Sequence, residues 1–490
     1  MRIAAARHQF RDCLAVPRIP LPFVALLAAA LVAALLMWSG SVAAQAPESK
    51  EPPPPTDVVP KPFEESILRR IFPEPQSNFL TLSPQLPAGG VPLLRRIPGV
   101  AEEMDKLPPF LRDTSLNVHF RTFYFDRLNS DGSTNEAWAF GGWLAYKSGW
   151  LADTFAIGAV GYTSQPLYAP NDTPGTNLLH PPQDSLLMIG QAYGQVRYKE
   201  YFLLTGGRQI DDEGYLNPND GRMIPNTFEA VTATGQLGPV GYEVGYFWTM
   251  KGRQENDFHN MATQAGVSGE NRGLILTRLS FEPIQGLKLY GANYLVPDVF
   301  NTVYGNAEYT LPVTTDLSVQ MGVQYTDQRN VGDAFLGNFN TWNVSTRALV
   351  LWRGITAGAV FSATGDESNI LTPYGTYPGY MSFQERDFDR AREKAWGVGG
   401  KYDFGKGTLL GDFRLPGVVA GVRYAEGTDA INPSTGAGQP RVREGDFDVT
   451  WNIPWVQGLQ LRFRNAYVAE SGQRVLQGFR IILNYELPLL

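Results

Sequence analysis

The chain has 490 residues, 43% of them hydrophobic and 12% aromatic, with 51 Gly, 36 Pro and a formal net charge of −7. That acidic balance argues against nucleic acid as a partner, and a single long apolar run, at the N-terminus, excludes a bundle of membrane helices. One cysteine, Cys13, leaves no disulfide and no thiolate metal site.

In chain order, Arg2, Arg7, Arg11 and Arg18 precede the apolar run Leu21 to Met37, and the small residues "SGSVAAQA" follow it. This is the order of a secretory signal peptide, with Val42 and Ala44 suited to a cut after Ala44. Residues 1–44 are therefore read as a leader, with a retained membrane anchor as the alternative. They carry four Arg and one Asp, so the remaining chain has a net charge of −10. Residues 45–112 are read as a Pro-rich periplasmic extension. Fifteen of the 36 Pro fall between 47 and 109, including Pro52 to Pro55, and such backbone favours extended, solvated conformations over sheet pairing. Within it, "FEESILRRIF" (63–72) has the pattern of a short amphipathic helix, a candidate contact for a periplasmic partner, against the plainer reading of a spacer.

From Leu116 the pattern changes to a period of two. Leu317, Val319, Met321, Val323 and Tyr325 alternate with Ser318, Gln320, Gly322, Gln324 and Thr326. The same parity recurs in Val240, Tyr242, Val244, Tyr246, Trp248 and Met250, in Trp342 to Trp352, and in Phe479 to Leu487. About 18 such segments can be counted, each near the length a tilted strand needs to cross a bilayer. Short connections such as "LGP" (237–239) and "RG" (353–354) alternate with long ones such as 252–271 and 365–392. The pattern predicts an all-β fold over 113–490: an 18-stranded antiparallel transmembrane β-barrel, apolar and aromatic-ended outside, polar within. A soluble sandwich or propeller would bury the apolar face instead, but no blade repeat is present. Closure also satisfies every strand edge, as lipid demands.

If apolar parity faces lipid, Arg121, Arg197, Lys199, Arg347, Arg423, Arg462, Arg464 and Arg480 face the lumen. Arg121, Arg423, Arg462, Arg464 and Arg480 fall on strands 1, 15, 17 and 18, which closure makes near neighbours, with Arg441 and Arg443 above them at the outer mouth. Clustered guanidiniums in a narrow aqueous pore attract carboxylates. The structural alternative is pairing with inward acids, for which Glu243, Glu308, Asp446, Asp448 and Glu486 qualify by parity. After the leader only His119, His180 and His259 remain, with no triad or HExxH spacing, so an enzyme embedded in the barrel is disfavoured. No cofactor and no metal are expected. The loop "QERDFDRAREK" (384–394) mixes signs and reads as solvated or folded into the pore.

Between two strand-like segments lies "NPNDGRMIPNTFEA" (217–230), too long for a plain hairpin. Together with "LPPFLRDTSLNVHFRTFYFDR" (107–127), "EAWAFGGWLAYKSGW" (136–150) and the ending "LRFRNAY…GFRIILNYELPLL", it resembles the OprD family of bacterial outer-membrane porins over roughly residues 107–490. The resemblance implies 18 strands and a pore narrowed by the third and seventh outer loops. Asn219, Asp220, Gly221, Arg222 and Pro225 would then belong to the constriction. It also implies a basic ladder guiding carboxylates, with Arg121, Arg462, Arg464 and Arg480 at matching positions and Arg423 fitting by parity. Small anionic or zwitterionic solutes, outer-membrane lipid and lipopolysaccharide are the expected partners; monomer and homotrimer stay open. Two departures are the length of the Pro-rich segment and an end at Pro488-Leu489-Leu490, where Tyr485 stands in for a terminal aromatic residue. The expected function is passive, substrate-preferring diffusion. The alternatives are a weakly selective general porin, or a barrel acting as envelope tether or adhesin through its extension.

Overall fold

The computed structural model describes residues 90–199, 201–407, 411 and 413–490. Residues 1–44, read above as a leader, most of the Pro-rich segment and the segment 63–72 lie outside the described residues. The strands are β1 (Ser115–Leu128), β2 (Thr134–Lys147), β3 (Phe155–Tyr168), β4 (Leu186–Tyr198), β5 (Phe202–Gln209) and β6 (Thr227–Leu237). There follow β7 (Val240–Lys251), β8 (Leu274–Ile284), β9 (Leu287–Val296), β10 (Phe300–Pro312), β11 (Leu317–Asn330) and β12 (Asn340–Trp352). The last six are β13 (Ile355–Thr364), β14 (Lys394–Asp403), β15 (Val418–Thr428), β16 (Val442–Asn452), β17 (Leu459–Glu470) and β18 (Leu476–Pro488). Each pairs antiparallel with its sequence neighbours, and β18 closes onto β1 from Asn117↔Pro488 to Leu128↔Gln477. The 18-stranded barrel is therefore closed, and a two-residue strand, His259–Asn260, adds only to the edge of β7.

The alternating parity is physical: Met321, Val323 and Tyr325 are exposed on the outside, while Gln324 and Thr326 are buried inside. Trp342 and Trp352 stand exposed at opposite ends of β12, as interfacial girdles require. One expected outward residue turns in. A β-bulge in the β6–β7 ladder, between Glu229 and Ala230, leaves Trp248 without a cross-strand partner. The extra residue shifts parity, and Met250 becomes 2% exposed within the interior.

The end of the barrel that carries both termini has short turns, except for the 404–417 connection between β14 and β15. There a 3-10 turn (Leu94–Arg96) and helices α1 (Pro98–Asp105) and α2 (Pro109–Arg112) follow the rim. Leu93 and Leu94 donate backbone N–H groups to Pro488 and Leu489, and Gly149 donates to Phe110. The opposite end carries the long loops, of which the second (169–185), third (210–226), fourth (252–273) and seventh (365–393) enter the interior. The cause is hydrophobic. Leu216 and Ile224 of the third loop and Tyr380 and Met381 of the seventh are 0% exposed. Burying one Leu or Phe side chain is worth roughly 1.5–3 kcal/mol, and the lumen is the enclosed space at hand. Phe228, Phe247 and Phe300 on the wall join Tyr215, Tyr374 and Tyr377 from the loops in one such cluster. Gly322 on β11 makes room for the seventh loop, since a Cβ there would lie 2.3 Å from the Tyr380 hydroxyl.

Candidate functional site

The antiparallel register assembles the basic wall. Arg423 on β15 faces Asp446 on β16, Asp448 faces Arg464 on β17, and Arg464 faces Arg480 on β18. Across the closing seam Arg480 is paired in register with Phe125, four residues along β1 from Arg121. Residues two apart on a strand share a face, so Arg462 and Arg464 point inward at successive depths. All five wall residues singled out in the sequence thus come together on β15–β1.

Each of the five also has an acidic partner. Arg423 Nε donates to Asp446 at 2.7 Å. Arg462 grips Asp448 bidentately, at 3.0 and 2.5 Å. Arg464 Nε donates to the same Asp448 at 3.0 Å. Arg480 is bonded to Glu385 of the seventh loop. Arg121 holds Asp220 of the third loop at 2.6 and 3.1 Å and also bonds Asn484 at 2.8 Å. The balance is uneven at Asp448, one carboxylate serving two guanidiniums. Arg464 also lines a small recess with Gln384, Arg423, Asp446 and Asp448.

The other cations expected inward lie away from this wall. Arg347 is bonded to Glu308 at 2.6 Å. Arg197 sits at the terminal rim over Trp150, bonded to Asp153. Lys199, expected in the lumen, is in the turn after β4, because that strand ends at Tyr198. Arg441 and Arg443, expected above the wall, both pair with Glu426, and Arg443 shares the outward parity of Phe447. His119 lies buried, stacked on Trp143 at 3.7 Å and bonded to Glu486 at 2.6 Å.

The third loop reaches from β5 along the inner wall to Arg278 on β8 and Thr326 on β11 and back to Arg121 on β1. Asn219 takes the turn conformation with φ 45°, whereas Gly221 has no positive φ; the asparagine makes the turn, as its short polar side chain permits. Asn219 accepts from Arg253 of the fourth loop at 3.0 Å, and the Pro225 carbonyl accepts from Lys251 at 2.8 Å. Arg222 donates to the Thr176 carbonyl of the second loop at 2.8 Å, and its own carbonyl accepts from Arg121 at 2.6 Å. The third and seventh loops meet where Asn217 donates to the Thr376 carbonyl at 2.8 Å and accepts from its N–H at 2.9 Å.

Burial first, then repulsion from Arg253, Arg480 and Arg127, holds Arg222 well below the usual guanidinium value. Arg253 is pushed down to about 10 by burial and then by Arg480. Guanidiniums stay protonated at neutral pH, so this crowding is expressed as attraction for anions.

Sequence reading did not single out Arg278 on β8. It is 0% exposed and bonds Asp211 of the third loop at 2.9 Å and Glu243 of β7 at 2.8 Å. It also donates to the Glu213 carbonyl at 2.6 Å. Its parity is opposite to that of the outward Ile275, Leu279 and Phe281, and that alternation was the available signal.

Comparison with known proteins agrees with this architecture. The family described as outer membrane porin, OprD family, matches residues 108–489. Porin D of Pseudomonas aeruginosa is 25% identical over 423 residues, covering 78% of this chain and 92% of its own. Crystal structures of P. aeruginosa OccK9 (OpdG) and of a BenF-like porin from Pseudomonas fluorescens Pf-5 superpose with TM-scores of 0.70 and 0.71 at 23% and 20% identity. Each match covers 78% of this chain and 100% of the other. P. aeruginosa OpdK, solved with vanillate, superposes with a TM-score of 0.67 at 21% identity, covering 77% of this chain and all of its own.

Proposed function

The chain belongs to the OprD family of outer-membrane porins, a channel of the bacterial outer membrane rather than an enzyme, and on that footing we propose that it favours small solutes bearing a carboxylate. Passage is passive, along the basic wall and through a constriction made by the inward third and seventh loops. Asn219, Asp220, Gly221, Arg222 and Pro225 form part of that constriction. The observation that carries the reading is the sharing of Asp448 by Arg462 and Arg464. Two guanidiniums share one acid there, so Arg464, at the edge of the recess, can turn to a second carboxylate. A solute carboxylate can bond Arg464 there and be released, because each contact on the wall is one of several. The relative solved with vanillate, itself a small carboxylate, supports the same class.

A weakly selective porin is the second reading, favoured by the acidic partner of every wall arginine. The double variant Arg462→Gln, Arg464→Gln separates the two. The carboxylate reading expects a lower anion preference in reversal-potential measurements, most marked at low salt where screening is weak. It also expects slower acetate uptake with little change for acetamide. Equal loss for both solutes would make the pair structural. A tether or adhesin role for the extension is tested by deleting residues 47–89: the remaining barrel of a channel still conducts.

A further inference from the structure

Three guanidiniums surround one aromatic ring near the long-loop end of the wall. Their carbons lie 5.9 Å (Arg127), 4.9 Å (Arg222) and 4.5 Å (Arg480) from the centre of Phe125. Arg253 is close enough to repel, and to be repelled by, the same group. Asp220, the nearby acid of the third loop, is engaged by both Nη atoms of Arg121. The carboxylate bonded within the cluster is Glu385 of the seventh loop. It is bonded to Arg480 and lies 3.5 Å from Arg127, with 5% of its side chain exposed. Its backbone N–H donates to Glu444 at 2.8 Å, which fixes the loop at this point. The wall leaves a notch for it: Arg127 faces Gly478 in register, and a Cβ at Gly478 would stand 2.8 Å from a Glu385 oxygen.

We propose that Glu385 is a tethered competitor for the solute. It fills from within the chain a guanidinium cluster that an entering carboxylate would otherwise occupy, and it thereby sets how tightly such solutes are held. This rests on the carboxylate reading above. A carboxylate on a folded-in loop is present at high effective concentration. An entering acid must displace it, and its return drives the acid onward, which keeps binding weak enough for release. Glu385 is in this sense specificity-determining: it passes solutes that bond several arginines in succession and discriminates little for uncharged ones.

The test uses the full chain in planar bilayers, with sodium acetate as the probe and acetamide uptake into liposomes as the uncharged control. Glu385→Gln keeps the side chain's shape and the backbone bond to Glu444. It should lower the acetate concentration giving half-saturating conductance by about tenfold, the scale of one charge-assisted competitor removed. Glu385→Asp, which keeps the charge but withdraws it by one methylene, should give a smaller fall. It carries the test if Glu385→Gln yields no folded, heat-modifiable barrel. An unchanged half-saturation in a folded variant overturns the proposal. So do equal rises for acetate and acetamide, which would make Glu385 a mere obstruction. The Arg462→Gln, Arg464→Gln pair keeps the two claims apart: loss of acetate preference there, with no response at Glu385, sinks only the competitor. No response at either position sinks the carboxylate reading itself.

Discussion

Arg278 shows how much one buried side chain can hold. It bonds both Asp211 and Glu243 and also the carbonyl of Glu213, so β7, β8 and the root of the third loop meet on a single guanidinium. Removing one member of a buried ion cluster leaves the others charged and unpaired, at a cost of about 3–5 kcal/mol. Arg278→Met should lower the stability of the folded barrel by that order in urea unfolding from lipid vesicles. It should also increase current fluctuation, since the loop loses its anchor. A variant with wild-type stability and quiet current would reduce Arg278 to packing. Arg464 differs in kind: it borders a small recess, whereas Arg278, like Arg480 on the wall, is wholly enclosed.

The seventh loop shows why an element's position can depend on pH. Asp389 is pushed well above the usual carboxylate range, first by burial and then by Asp387 and Glu393; burial raises Asp387 as well. Around Asp389 lie Arg390, which bonds Glu393 at 2.6 Å, and the nearby Tyr215 and Tyr377. A buried acid with a raised value keeps its proton where the released loop would lose it. The inward position is therefore fully stabilised below the ordinary carboxylate range. That stabilisation is lost as pH rises through the raised value. Channel noise should accordingly grow between acidic and neutral pH, and Asp389→Asn should flatten the dependence. The same slope in wild type and variant would place its origin elsewhere. Tyr380 also steadies the loop, its hydroxyl bonding Asn306 and Glu308 at 3.0 Å each.

For the whole molecule, closure is the decisive event, since an open edge in lipid leaves a column of unpaired backbone groups. The seam extends past the last strand. Leu93 and Leu94 bond the Pro488 and Leu489 carbonyls, and Leu489 bonds Leu116 at 2.7 Å. The final three residues thus join the segment below the rim to the start of the first strand and the end of the last. Deleting Pro488–Leu490 removes these bonds together and should reduce the yield of heat-modifiable barrel, measured by gel mobility after refolding into vesicles. Undiminished assembly would show that Tyr485 and the β1–β18 ladder suffice.

Strand number, order and inside–outside parity were legible in the sequence because each follows from a local rule. Side chains alternate along a strand, lipid selects one face, and neighbours in the chain are neighbours in the sheet. Arg462 and Arg464 could be placed on one face from their spacing alone, and His119, Arg121 and Arg480 likewise. Met250 and Lys199 escaped the rule where a bulge and a strand end broke the period. The destinations of the loops were not legible. Arg121 finds Asp220 and Arg480 finds Glu385 across about a hundred residues of chain, and no periodicity connects such partners. Their meeting depends on aromatic and aliphatic loop residues leaving water for the lumen, and on notches such as Gly322 and Gly478 that admit them. Sequence therefore determined a barrel with a basic wall. Tertiary packing decided which carboxylates that wall already holds, because the pairing charges lie on segments whose course is set by burial, not by local geometry.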